Sequence, residues 1–218
     1  MTSSVREPTR SPFLAFALAL LAATALWFIL QRTHYFTDFS VDSFGARYWS
    51  GRWALVAHIA GGIVASLTGL VQLWLGLTGR IGALHRRLGR IYVGAIAIGA
   101  SGAIAMFLTI SQSLGNLGFT SGLVALTLAW IVTTAIALAA IRRGQVALHR
   151  AWMMRSYAVT FGFVAFRLIN EALAALLAPV DPAVGSQFDT IAAWGCWAIP
   201  LLLVEVGLGV EALRKVGR

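Results

Sequence analysis

Cysteine is almost absent from this chain. Cys196 is the only one, which excludes an internal disulfide, a CxxC redox pair and a cysteine-rich metal site. Set in an apolar run beside Trp194 and Trp197, it reads as a small packing residue. Charge is scarce as well: 11% of the 218 residues are charged, against roughly 25% in soluble domains. Catalytic signatures are missing too. There is no HExxH, no GxSxG, no GxxxxGK[ST] phosphate loop and no paired carboxylates beside the basic connections, so the sequence indicates no enzyme class. No soluble domain and no long polar linker interrupts the chain.

What fills the chain instead is apolar: 59% of residues are hydrophobic, gathered into runs of the length, about 20 residues, that spans a bilayer. Six such runs are readable, at about 12–31, 53–77, 90–112, 118–141, 152–178 and 188–211. They are too long for barrel strands and do not alternate, and an isolated span must satisfy its own backbone hydrogen bonds. The expectation is an all-α, polytopic membrane bundle of six transmembrane helices forming one domain. Gly115 to Gly118 reads as a tight uncharged turn, and Pro179, Asp181 and Pro182 mark the last connection. Arg6 and Arg10 ahead of an apolar run, with Ala23-Thr24-Ala25, mimic a signal peptide. The run continues through Leu26-Trp27-Phe28-Ile29-Leu30, which favours an uncleaved anchor.

The formal net charge of +9 would suggest nucleic acid in a soluble protein. Here the basic residues lie between apolar runs, so they report topology and the partner is the lipid bilayer. One side collects Arg6, Arg10, Arg80, Arg86, Arg87, Arg90, Arg142, Arg143, Arg150, Arg155, Arg214, Lys215 and Arg218. The other has Arg32, Arg47 and Arg52, with Asp181 and Asp189, and Arg167 falls within a run. The positive-inside rule puts the first group, and both termini, in the cytoplasm, as in a bacterial inner-membrane protein. Trp27, Trp49, Trp53 and Trp152 fall near the expected interfaces.

An internal echo links two connections. Gly79-Arg80-Ile81-Gly82-Ala83-Leu84-His85-Arg86 parallels Gly144-Gln145-Val146-Ala147-Leu148-His149-Arg150, and each is followed by an Arg and a Tyr, at Arg90 and Tyr92 and at Arg155 and Tyr157. The histidines are 64 positions apart, about two helices with their connections, as in a duplicated helical hairpin. His58, Gly69 and Gln72, the run His85-Arg86-Arg87-Leu88-Gly89-Arg90-Ile91-Tyr92, the run His149-Arg150-Ala151-Trp152-Met153-Met154-Arg155-Ser156-Tyr157, Arg167 and Glu205 together resemble a bacterial family of predicted multi-pass membrane proteins of unknown function. The resemblance covers roughly residues 53–210. It implies a membrane helix bundle and no mechanism.

Ionisable residues inside a span cost about 2.5–3.5 kcal/mol at its centre, so each is a candidate for function. Arg167 and Glu171, four apart, are placed to pair with each other, and with His58 they are expected to line a polar pocket at the outer side. Gln72 and Glu205 join this set. For Glu205 the alternative is an orienting ion pair with Arg86, Arg90 or Arg155. His58, Gly61, Gly62, Ala65, Gly69, Gln72 and Gly76 share one helix face, which either admits a neighbouring helix closely or leaves room for a flat cofactor. His149, Met153, Ser156, Thr160, Arg167 and Glu171 form a polar stripe that must face protein or water.

His85 and His149 open two spans from the same side, and Arg86, Arg90, Arg150 and Arg155 stand near them to pair with propionates. This is similar to one histidine pair of the cytochrome b561 family, joining the third and fifth of six helices. The similarity implies a b-type haem and membrane electron transfer, with a quinone or redox protein as partner. Departures are that His58 lacks a histidine partner on the fourth helix, and that His85 precedes the apolar run by six residues, where helix capping also explains it. The alternative from another class is a transporter or small-ligand-binding bundle using His58, Arg167 and Glu171. A membrane scaffold without chemistry is the third reading.

Overall fold

The computed structural model describes residues 12–110, 116–177 and 182–216. Among these residues every regular element is a helix: α1 (Pro12–Leu30), α2 (His34–Thr37), α3 (Val41–Trp49), α4 (Arg52–Leu77), α5 (Ala83–Ile110), α6 (Leu117–Arg142), α7 (Val146–Leu177) and α8 (Pro182–Val216). The six long helices correspond to the six apolar runs. Four stretches among the described residues are long and apolar enough to cross a membrane: Arg52–Leu77, Ala83–Ile110, Leu117–Arg142 and Gly185–Val216. The α7 helix is 32 residues long, yet it carries Arg150, Arg155, Arg167 and Glu171. In α1 the apolar stretch is Ala15–Leu30. The expected turn at Gly115, the Pro179–Asp181 connection, Arg6, Arg10 and Arg218 lie outside the described residues.

Two boundaries correct the sequence reading. The third and fifth long helices were expected from 90 and 152; they begin at Ala83 and Val146. Both are preceded by the same device. Gly79 (φ 70°) and Gly144 (φ 71°) adopt the left-handed conformation that ends a helix. The amides of Arg80 and Gln145 then reach back to the carbonyls of Leu75 and Ala140 at 2.9 and 3.0 Å. This 6→1 bond satisfies an orphan carbonyl at the end of α4 and of α6 and turns the chain sharply into the next helix. The echoed segments thus make equivalent corners, and His85 and His149 sit in the first turn of the helices that follow.

The α4 helix packs along α5; α6, α7 and α8 pack against one another, and α4 also meets α7, with α1 lying against both α4 and α7. Small residues set the α4–α5 distance. A Cβ on Gly61 would stand 2.5 Å from the Gly99 nitrogen and 2.6 Å from the Ala95 carbonyl oxygen. On Gly102 it would meet the Ala54 oxygen and the His58 nitrogen, each at 2.6 Å. Gly69 accepts the rings of Tyr157 and Tyr92, with contacts of 2.5 and 2.8 Å to an added Cβ. The stripe on α4 is a packing face at Gly61 and Gly69; neither holds a gap for a flat cofactor. Cys196 is fully buried, as a packing residue should be.

An unexpected element is the cap formed by α2 and α3. Phe44 is buried against Leu55, Ile59, Tyr35, Tyr48 and Trp49. The Ser40 side chain accepts from the Ser43 amide at 3.2 Å and starts α3, and Gly45 (φ 72°, ψ 152°) breaks it so that it bends over the end of α4. The guanidinium of Arg52 stacks on Trp49, 4.3 Å from the ring centre.

Neighbouring glycines on α4 test this packing. Gly61→Ala pushes a methyl into backbone that cannot step aside and should destabilise the bundle by about 1–3 kcal/mol. Gly62, where an added Cβ meets nothing within 4 Å, should tolerate alanine and gain up to about 1 kcal/mol of helix propensity. Thermal unfolding of the two variants in a mild detergent checks the opposite signs.

Candidate ligand cavity and the polar ends of the bundle

Three polar regions lie in sequence along the bundle. The middle one is a closed circuit of side chains. Tyr92 of α5 places its Oη 2.8 Å from both Ser156 Oγ and Thr160 Oγ1 of α7. Trp130 Nε1 of α6 donates to Thr160 Oγ1 at 2.8 Å, and Thr134 and Ser156 hydroxyls meet at 2.7 Å. Carbonyls only accept, so Thr160 donates to the Ser156 carbonyl and Thr134 to the Trp130 carbonyl, both at 2.8 Å. Ser156 is then left to donate to Thr134, and Tyr92 to Ser156 or Thr160. Every donor has an acceptor, and Tyr92, Trp130, Ser156 and Thr160 are completely buried.

At one end of this circuit lies a cavity of about 290 Å³, at the lower edge of the volumes that hold small molecules. Its wall is mainly apolar: Leu55, Ile59, Ile104, Met106, Phe107, Leu123, Phe163 and Phe166 contribute. Phe163 also forms the floor, packed edge-on against Trp130 at 4.6 Å. The polar groups are few. His58 stands 4.9 Å from the Phe163 ring, with Nδ1 2.9 Å from the Gly99 carbonyl. Since that oxygen accepts, Nδ1 carries the proton and Nε2 is the acceptor of a ring that lines the cavity. Arg167, Arg32, Tyr35, Tyr48, Thr120 and Thr127 complete the polar lining.

The sequence placed His58 and Arg167 in one pocket, and the structure brings both to this cavity. The rest of the expected set goes elsewhere. Glu171 is exposed and does not line the cavity. Among the described residues the ion pairs are Arg155–Glu205 and Glu211–Lys215; the expected Arg167–Glu171 pair is not formed. Four-residue spacing brings two side chains to one face but does not hold them in contact, and here Arg167 turns inward while Glu171 stays at the surface. Gln72 is buried towards the opposite end, where its Nε2 donates to the His85 carbonyl. Arg32, Tyr35 and Tyr48 were missed as site residues. Their signal was aromatic density between residues 35 and 53, which marks a folded cap.

Arg32 is the residue whose electrostatics stand out. Burial holds its guanidinium below the usual arginine range, and the positive charge of Arg167 adds to the effect, while Tyr35 and Glu171 oppose it. Among the described residues its side-chain hydrogen bond is from Nη1 to the adjacent Gln31 carbonyl at 3.2 Å, and its head lies 5.4 Å from the Phe28 ring centre. Two arginines therefore approach one another at the rim of an apolar cavity.

At the far end of the circuit, His149 Nδ1 lies 2.9 Å from the Ala137 carbonyl of α6, again leaving Nε2 as the acceptor. His85 is near enough for the two rings to interact electrostatically, and its Nδ1 is buried without a partner. Neither ring lines the cavity. Arg86, Arg90 and Arg150 are exposed around them. Arg155 is engaged: its Nε and Nη2 grip the Glu205 carboxylate of α8 at 2.5 and 2.8 Å, with Trp152 beneath at 4.7 Å. That is the orienting ion pair named as the alternative for Glu205.

A family model described as "Predicted membrane protein (DUF2306)" matches residues 55–207. The chain belongs to this family. The match runs from the start of α4 into α8, and so contains His58, the buried circuit, Arg167 and the His85–His149 end. Arg32, Tyr35 and Tyr48 precede the part of the chain that the DUF2306 model covers. No curated protein and no solved structure matches the chain, and these comparisons do not reach the cytochrome b561 family.

The Arg155–Glu205 fork ties α7 to α8. Glu205→Gln and Arg155→Gln should each destabilise the bundle modestly, because the Glu205 side chain is 45% exposed and such pairs contribute about 0–1 kcal/mol. The double variant should lose no more than the worse single one, giving a coupling of up to about 1 kcal/mol. Simple additivity in a double-mutant cycle of denaturation would show that the fork does not hold the two helices.

Proposed function

We propose that this protein is a six-span bundle of the bacterial inner membrane that binds an apolar small molecule in the cavity beside His58. The observation that carries the reading is the coincidence of an apolar cavity with a few polar groups, His58, Arg32 and Arg167, at its wall and rim. That is the composition of small-molecule sites in general: an apolar wall for affinity and a few polar groups for orientation. Arg167 inside α7 favours the same conclusion, since an ionisable residue at membrane depth lines a cavity or a path.

The arrangement of basic residues supports cytoplasmic termini. The corners at Arg80–Arg90 and Arg142–Arg150 then face the cytoplasm, and the cavity with its α2–α3 cap faces outward. Reporter fusions after residues 86 and 150 should report cytoplasm, and fusions at 116 and 184 the opposite side. Opposite locations for 86 and 150 would overturn the six-span arrangement.

For the cavity itself, the neutral probe dodecanol should bind the purified protein one to one in a non-ionic detergent, as read by native mass spectrometry. Ala103 lines the cavity, so Ala103→Trp should fill it and abolish the adduct. Equal binding by wild type and variant would place dodecanol elsewhere and remove the reading.

A second reading rests on the nearness of His85 and His149. A b-type haem held by their free ring nitrogens would pass single electrons to a quinone or redox protein. His149 has the feature such a ligand needs, an Nδ1–H fixed by a backbone carbonyl. His85 supplies only half of it, because its Nδ1 has no partner. A Soret band in the purified protein, lost in both His85→Ala and His149→Ala, is the expected outcome under this reading; a colourless wild type reconstituted with haem excludes it.

A further inference from the structure

We infer that the ligand of the outer cavity is an amphipathic anion, an apolar body carrying a single carboxylate or phosphate head held between Arg32 and Arg167. The inference rests on the ligand-binding reading above and adds the ligand's charge.

Charge at the cavity rim leads there. Arg32 and Arg167 both line the cavity and are close enough to repel. Neither belongs to an ion pair among the described residues. The one carboxylate that acts on Arg32 is Glu171, which is exposed and outside the lining. Two positive charges and one negative leave a net charge of +1 at the rim, which one negative charge would neutralise.

The geometry of the donors agrees with this. Among the described residues Arg32 uses one N–H on the neighbouring Gln31 carbonyl and Arg167 makes no side-chain hydrogen bond, its head lying 5.7 Å from the Phe166 ring centre. A guanidinium has five N–H donors in a planar fork that fits a carboxylate or phosphate. Most of these donors are free and border an apolar space. Holding two half-buried cations side by side with only the exposed Glu171 carboxylate acting on Arg32 is unfavourable, and an anion inserted between them offsets their repulsion and engages the free donors. The rest of the wall is mainly apolar, its other polar groups being Tyr35, Tyr48, His58, Thr120 and Thr127, so the anion is attached to a largely hydrocarbon body. Free amphiphiles such as fatty acids and the anionic headgroup of a phospholipid share this chemistry.

Native mass spectrometry of the full chain in a non-ionic detergent distinguishes the possibilities with five probes: laurate, dodecyl phosphate, dodecanol, dodecylamine and phosphatidylglycerol. Laurate or dodecyl phosphate should bind one to one and more tightly than dodecanol, with dodecylamine weakest. Arg32→Gln and Arg167→Gln should each weaken the anion by about tenfold or more and weaken dodecanol far less, while an unchanged thermal unfolding midpoint reports that the variants are folded. Arg167→Lys, which keeps the charge, should recover part of the loss. Phosphatidylglycerol showing the same sensitivity to the Gln variants, with laurate not binding, would name the lipid headgroup as the source of the anion. Dodecanol binding as tightly as laurate, with neither arginine mattering, would overturn the charge inference and leave the apolar cavity reading in place. If no probe forms a specific adduct, both fall.

Discussion

In a bilayer the centre of a helix bundle offers polar side chains no water, so they have to satisfy one another. Tyr92, Trp130, Thr134, Ser156 and Thr160 do so completely, and they come from three different helices. Each unmade bond would cost about 1–3 kcal/mol, so the circuit fixes the relative rotation of α5, α6 and α7 as well as their distance. Turning any one helix by a residue, about 100°, would break several bonds together. The placement of both polar ends follows. Phe163 lies one turn from Thr160 and packs on Trp130, which sets the cavity floor. His85 lies seven residues before Tyr92 and His149 seven before Ser156, so the same circuit sets the approach of the two histidines.

The echo has a physical meaning beyond repeated letters. Tyr92 pairs with Ser156 across the bundle, and they are 64 positions apart, the same offset as His85 and His149. Counted from the two histidines, corresponding turns of the two helices thus meet at the centre. The corners match as well, with a left-handed glycine at 79 and 144. What differs is the chemistry laid on each copy. On α4 the glycines allow α5 to approach until backbone touches backbone, whereas α6 brings Trp130 and Thr134 to face α7. One hairpin is held by contact, the other by hydrogen bonds.

The long helices were legible because apolar runs of that length have few alternatives. Their starts at Ala83 and Val146 were not, because Arg86, Arg87 and Arg90, and likewise Arg150 and Arg155, make the first turns polar. A helix that protrudes from the apolar layer loses its hydropathy signal before it loses its hydrogen bonds. The stripe on α7 was readable from spacing, but its partners Tyr92 and Trp130 lie on other helices, and one sequence does not state how helices are registered. Glu205 was assignable to an arginine, though three candidates were equal until Arg155 was seen to reach it. Arg32 was counted only as a loop charge. Its role depends on the cap formed by α2 and α3, whose helices of four and nine residues are too short to show a period.

The buried circuit also bears on whether the bundle binds or conducts. A continuous polar path would have to join the cavity at His58 to the end at His85 and His149. Between them stand the rings of Phe163, Trp130 and Tyr92 and a set of hydroxyls whose donors are all taken. Opening that barrier exposes the Tyr92 and Trp130 donors and the Ser156, Thr134 and Thr160 hydroxyls at once, and without water to receive them the cost is several times about 1–3 kcal/mol. A small solute has little differential affinity to set against that sum, and a ligand can shift such an equilibrium only by the difference in its affinity for the two states. Among the described residues the bundle is therefore closed across its middle, with Phe163 lining the cavity on one side and packing on Trp130 on the other, an arrangement that agrees with the proposed binding site better than with a conduit.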